Sequence, residues 1–138
     1  MATVSYIDHT ADIGVKISAA TPEEAFIAVA EAMFDIMVPE RQVEQRQTWE
    51  IEISAADWEG LLVAWLEELL YRFEMEGLLP ARIELSGSTA ERLSARIRGD
   101  TLDPAVHERG VGIKAVTWHQ LQARPREAGF EIQVIFDI

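Results

Sequence analysis

The sequence predicts an α+β fold. It should be a two-layer domain in which a mostly antiparallel sheet carries two amphipathic helices packed on one face. Three observations point there. Two segments place apolar residues at helical spacing behind N-terminal capping residues, and seven short segments alternate apolar with polar residues. Most of those seven are joined by short turns, which favours antiparallel neighbours.

Val4-Ser5-Tyr6-Ile7 is a short strand, and Asp8-His9-Thr10-Ala11-Asp12 interrupts it with turn-forming residues. Ile13, Val15 and Ile17 then alternate with Gly14, Lys16 and Ser18, the period-2 pattern of a half-buried strand. Thr21-Pro22-Glu23-Glu24 starts a helix, with Thr21 as N-cap, Pro22 in the first turn and Glu24 completing a capping box. Its apolar set is Ala25, Phe26, Val29, Ala30, Met33, Phe34 and Met37, and Pro39 stops it. Residues 40–47 are polar and read as a loop. Trp49, Ile51 and Ile53 alternate with Glu50 and Glu52 in a third strand.

Asp57 caps the second helix. Its stripe of Leu61, Leu62, Trp65, Leu66, Leu69, Leu70 and Phe73 faces away from Glu59, Glu67, Glu68, Arg72 and Glu76. Such a stripe covers a sheet or binds a partner, and core packing is the simpler use. Gly77 ends this helix and Pro80 prevents its continuation. Ile83 and Leu85 form a strand before the Ser86-Gly87-Ser88 turn. Leu93, Ala95 and Ile97 form the next, followed by a loop over residues 99–112. Lys114 to Arg124 and Phe130 to Phe136 are the last two strands. Alternation does not reveal the order of the strands in the sheet.

A chain of 138 residues with 49% hydrophobic content fits one domain, 1–138, with a core that needs no disulfide or structural metal. The absence of cysteine excludes disulfides, thiolate nucleophiles, zinc ribbons and iron–sulfur clusters. The N-terminal residues show no basic start followed by an apolar run, so no signal peptide is expected. No apolar stretch reaches the roughly 20 residues of a membrane span, and a cytoplasmic location without membrane contact is expected. The formal net charge of −12 disfavours sequence-independent nucleic-acid binding. It suits a basic protein partner or a cation, though solubility alone accounts for it equally well.

Catalytic motifs are missing. Gly110-Val111-Gly112 lacks the later glycine and the helix of a dinucleotide fingerprint, and no serine sits in a nucleophile elbow. His9, His107 and His119 lie far apart with no paired ligand spacing. Two segments retain chemical interest. Asp8-His9-Thr10-Ala11-Asp12 gathers two carboxylates and an imidazole, although Asp and Thr capping backbone donors in a turn is the simpler account. Val134-Ile135-Phe136-Asp137-Ile138 runs a strand to the last residue, which would set the α-carboxylate of Ile138 beside Asp137. Adjacent carboxylates on ordered backbone suit a hard cation. An ordinary edge strand with a solvated end fits the local pattern as well.

Taken together, five segments resemble the archease family over essentially the whole chain. They are Tyr6-Ile7-Asp8-His9-Thr10-Ala11-Asp12-Ile13-Gly14-Val15, the helix start Thr21–Phe26, the helix Leu61–Leu70, Gly112-Ile113-Lys114-Ala115-Val116-Thr117-Trp118-His119, and Val134–Ile138. Trp118 stands where tyrosine is frequent in the family and Ile113 where valine is. The resemblance implies an activator, without catalysis of its own, of the RtcB-type RNA ligase of tRNA splicing and RNA repair. It implies promotion of ligase guanylylation and multiple turnover, and broader nucleotide use. It also implies a divalent cation, calcium, held by Asp12, Asp137 and Ile138, with Lys114 of functional weight and His9 within the opening motif. Two rival expectations are a general chaperone or adaptor, and a metal-dependent hydrolase using Asp8, His9 and Asp12.

Overall fold

The computed structural model describes residues 2–8 and 11–138. Nine elements follow one another: β1 (Thr3–Asp8), β2 (Asp12–Ala19), α1 (Pro22–Met37), β3 (Gln47–Ser54), α2 (Trp58–Glu76), β4 (Leu78–Ser86), β5 (Arg92–Thr101), β6 (Ala115–Arg126) and β7 (Gly129–Asp137).

The helix boundaries have local causes. Thr21 is extended, and its hydroxyl accepts from the Glu24 amide at 3.1 Å, with Pro22 opening α1. Asp57 caps α2 in the same way, accepting from the Gly60 amide at 2.8 Å. Gly77 ends α2 at φ 71°, the left-handed region that glycine enters without a Cβ clash, and its amide donates to the Phe73 carbonyl at 3.0 Å. β4 begins at once, at Leu78, and runs through Pro80, earlier than alternation places it. Pro80 stays opposite Gly99 on this edge strand, where a missing N–H is tolerated, and the register shift between Pro80 and Arg82 leaves Ala81 without a partner in the ladder.

The α+β class, the two helices and the antiparallel pairing are as expected. The strands, however, divide between two sheets instead of forming one. The four-stranded sheet has the order β1-β2-β7-β6 and the three-stranded sheet the order β3-β5-β4. All described strand pairs are antiparallel. Alternation tells which face of a strand is buried, and nothing in it names the neighbouring strand. Each helix consequently packs against strands of both sheets. α1 buries Ala28 and Ala32 in addition to its expected stripe, because small side chains let it approach neighbours on more than one side.

Trp65, Phe26, Phe34, Leu66 and Leu69 are all buried, as the helical stripes require. Trp65 also donates its indole N–H to the Phe26 carbonyl at 3.0 Å, so the largest core side chain ties α2 to α1 without leaving a polar atom unpaired. Phe26, Trp58 and Phe130 continue the core as a tilted aromatic cluster with centroids 4.9–6.2 Å apart. No helix among the described residues is long and apolar enough to cross a membrane.

A candidate cation site at one end of the four-stranded sheet

The four-stranded sheet brings the start of β2 beside the end of β7. Asp12 opens β2 and lies directly opposite Asp137 at the end of β7, while Ala115 at the start of β6 flanks Asp137 on the other side. Residues directly opposite on antiparallel strands share a face, with Cβ atoms about 4.5–5.5 Å apart. Two backbone bonds close the corner. The Ile138 amide donates to the Ala11 carbonyl at 3.1 Å, and the Lys114 amide donates to the Asp137 carbonyl at 2.7 Å. Asp12 and Asp137 thus lie in one row across the sheet, and Ile138 and Lys114 stand one residue along at the same end of it. His9 falls outside the described residues.

The four residues differ in exposure. Asp137 and the Lys114 side chain face solvent, whereas Asp12 and Ile138 are partly buried. Ile138 leans on the core. The Oδ1 atom of Asp12 is sequestered and has no hydrogen-bond partner among the described residues. A carboxylate oxygen removed from water without compensation is costly, and a second carboxylate across the ladder adds repulsion. A hard divalent cation would relieve both, since it takes oxygen ligands. The donor set therefore fits such an ion. Among the described residues no three His, Cys, Asp or Glu side chains gather into a metal-holding group. The corner offers two carboxylate side chains, and further oxygens must come from elsewhere.

The route into the corner is pinned by α1. Its last turn leaves carbonyls unpaired, and the loop before β6 fills them. The Gly110 amide donates to Met37 at 2.8 Å and the Val111 amide to Ile36 at 3.0 Å. Gly110 is required by this approach, because a Cβ there would lie 2.6 Å from the Ile36 carbonyl oxygen. Ile113 is then buried, and Lys114 follows at the sheet edge. Sequence reasoning reads Gly110 only as a failed nucleotide motif. Its role as a spacer between loop and helix depends on a tertiary contact.

The other histidines are not ligands of this corner. His107 is buried in the loop after β5. Its Nδ1 accepts from the Asp103 amide at 3.0 Å, which leaves the proton on Nε2 to donate to the Gln42 carbonyl at 3.1 Å. It pins one loop to another. His119 is exposed on β6. Sequence reasoning also misses an interruption of β6. Thr117 faces Ile135 and Gln122 faces Gln133, so β6 advances five positions while β7 advances two. The surplus forms a bulge in which Gln120 adopts φ 52°.

Residues 5–138 match the model of the archease protein family. A protein named archease from Thermococcus gammatolerans is 42% identical over 120 residues, covering 85% of this chain and 84% of that protein. The solution structure of Methanobacterium thermoautotrophicum protein 1598 matches with a TM-score of 0.81 at 28% identity, covering 98% of both chains. A Thermotoga maritima crystal structure, described as an archease and possible chaperone, shares the fold with a TM-score of 0.66 at 22% identity, covering 96% of this chain and 94% of that one.

Proposed function

Because the chain belongs to the archease family, we propose that it is the protein activator of an RtcB-type RNA ligase, acting in the cytoplasm in tRNA splicing and RNA repair. In this reading it has no catalysis of its own. It promotes guanylylation of the ligase, sustains multiple turnover and broadens nucleotide use. The observation that carries the reading to particular residues is the sequestered Oδ1 of Asp12, unpartnered among the described residues, opposite Asp137.

Asp12, Asp137 and Ile138 would hold a divalent cation, calcium by the family resemblance. The bound ion supplies positive charge and open coordination positions at the corner. Three ligand residues underfill the six to eight oxygens typical of calcium, so water or the partner completes the shell, and the site belongs at an interface. The Ile138–Ala11 and Lys114–Asp137 backbone bonds hold the row in register, which fixes where the carboxylates stand before the partner arrives. Lys114 presents a cation beside them, available to a phosphate or carboxylate of the complex.

The test is a guanylylation assay with purified ligase and labelled GTP, with and without this protein. Asp12→Asn, Asp137→Asn and a chain extended beyond Ile138 should each lose activation while melting no lower than wild type in metal-free buffer. The extension separates a site using the terminal carboxylate from a simple aspartate pair. Full activation by all three folded variants would remove the corner from the function. The description of the Thermotoga relative as a possible chaperone supports a second reading, a general chaperone. Protection of unrelated unfolded proteins from aggregation would favour that reading.

A further inference from the structure

Between Glu108 and Glu127 lie eighteen residues without a single Asp or Glu, carrying four Arg or Lys. The other 120 residues hold 24 acidic and 8 basic side chains, a formal charge of 8 − 24 = −16. This segment contains all of β6, which is an edge of the four-stranded sheet. Arg109, its first cation, lies over the Phe73 ring and is not part of the edge. Lys114 and Arg124 are exposed and make no ion pair among the described residues, while Arg126 shares Glu131 at 2.6 Å. Beside them the outer face of the sheet forms a shallow hollow. Ser5, Lys16, Gln122, Arg126 and Gln133 line it, and Glu131 is its carboxylate.

Trp118 stands at the middle of this edge. It is 62% exposed, whereas Trp65 and Trp49 are buried and Trp58 is partly so. The bulge carrying it is held in place at both ends. The Thr117 hydroxyl donates to the Ile135 carbonyl at 2.9 Å, and the Gln133 side-chain Nε2 donates to the Gln120 carbonyl at 2.9 Å. Gln120 sits at φ 52°, a conformation that costs a non-glycine residue free energy and persists only when its surroundings hold it. Bulges, charges and prolines such as Pro125 are known devices against edge-to-edge aggregation. That accounts for the interruption. It accounts neither for the single sign of the charge in so acidic a protein nor for a large aromatic left in water.

We propose that the β6 edge is a binding strip for single-stranded RNA, with a base stacked on Trp118 and phosphates on Lys114, Arg124 and Arg126. An exposed ring flanked by cations is the minimal arrangement for sequence-tolerant single-strand binding. The nine residues of β7 opposite β6 set a span of about 30 Å, enough for several nucleotides. The net charge of −12 does not oppose this locally. It repels the strand from the remaining surface and so restricts it to one edge. The proposal is independent of the ligase reading.

The binding test uses the whole protein without any ligase, and the ligase is added only in a separate guanylylation control. A labelled, unstructured RNA of roughly ten nucleotides is titrated at low salt, read by anisotropy and by quenching of tryptophan emission. Wild type should bind with salt-dependent affinity. Trp118→Ala should weaken binding about tenfold or more and abolish the quenching, with an unchanged melt, because the side chain is exposed. Arg124→Gln with Arg126→Gln should weaken binding and flatten the salt slope by about 1.4. Failure of wild type to bind overturns the proposal. So does Trp118→Ala binding as wild type, which would leave only general attraction between charges. Loss of ligase guanylylation by Trp118→Ala without any RNA binding would make the edge a protein contact, and loss of a wild-type dimer on sedimentation would make it a self-contact. Either result refutes the RNA strip. Each leaves the Asp12 experiments above unaffected.

Discussion

Replacing Asp12 with Asn removes one of two charges held across the β2–β7 ladder while nearly keeping the shape of the side chain. At the roughly 5 Å separation typical of directly opposed residues, two unit charges repel by about 0.8 kcal/mol in water and about 3 kcal/mol at the lower effective dielectric of a protein surface. Asp137 faces solvent, so the lower end applies. Asn also carries a donor, but the neighbouring oxygens remain, and the net gain without metal should be about 1 kcal/mol. For 138 residues this corresponds to an increase in Tm of about 3 °C. The assay is a pair of thermal melts, in chelator and in millimolar calcium. Calcium should raise the Tm of the wild type, since a ligand present at about 100 times its Kd adds about 2.7 kcal/mol. Asp12→Asn should begin higher in chelator and respond little to calcium. A variant that melts several degrees lower in chelator would show that Asp12 caps its own turn. A wild-type Tm indifferent to calcium and magnesium would refute the cation corner.

Trp65→Ala should cost about 3–5 kcal/mol through the cavity it leaves beneath both helices, and it also removes the bond to the Phe26 carbonyl; chemical denaturation checks this. Gly110→Ala should cost about 1–3 kcal/mol, because the loop must move off the Ile36 carbonyl and weaken the bonds to Ile36 and Met37. Amide exchange at residues 110 and 111 should accelerate with it. Glu31→Gln tests a pH effect. Desolvation first, and the nearby Asp35 second, push the Glu31 carboxyl above its ordinary value, with Arg41 opposing. The folded state then holds this proton to higher pH than the unfolded state, so the Glu31 contribution disfavours folding as pH rises through that window. The variant should be slightly stabilised at neutral pH and indistinguishable well below the carboxylate range, as melts across pH would show.

Helix limits, the buried stripes and most strand faces were legible in the sequence because they depend on neighbours a few residues apart. Thr21, Asp57 and Gly77 cap and stop their helices by local hydrogen bonds, and Trp65 and Leu69 are buried because a stripe at helical spacing must be covered. The fold class follows from those patterns alone. The motif aspartates could be named there too, but only through family resemblance, since Asp8 to Asp12 and Val134 to Ile138 read locally as a turn and a strand end. Tertiary structure decided the remainder. It divided the strands between two sheets, because a strand edge accepts any partner of matching register and alternation does not choose one. It set Asp12 against Asp137, 125 positions apart, by inserting β7 beside β2. It also made Gly110 a spacer and turned Trp118 out to solvent, since both depend on what β6 and α1 meet across the molecule. Local periodicity fixes burial, whereas the meeting of residues distant in sequence depends on which edges and helix ends remain open once the local elements have formed.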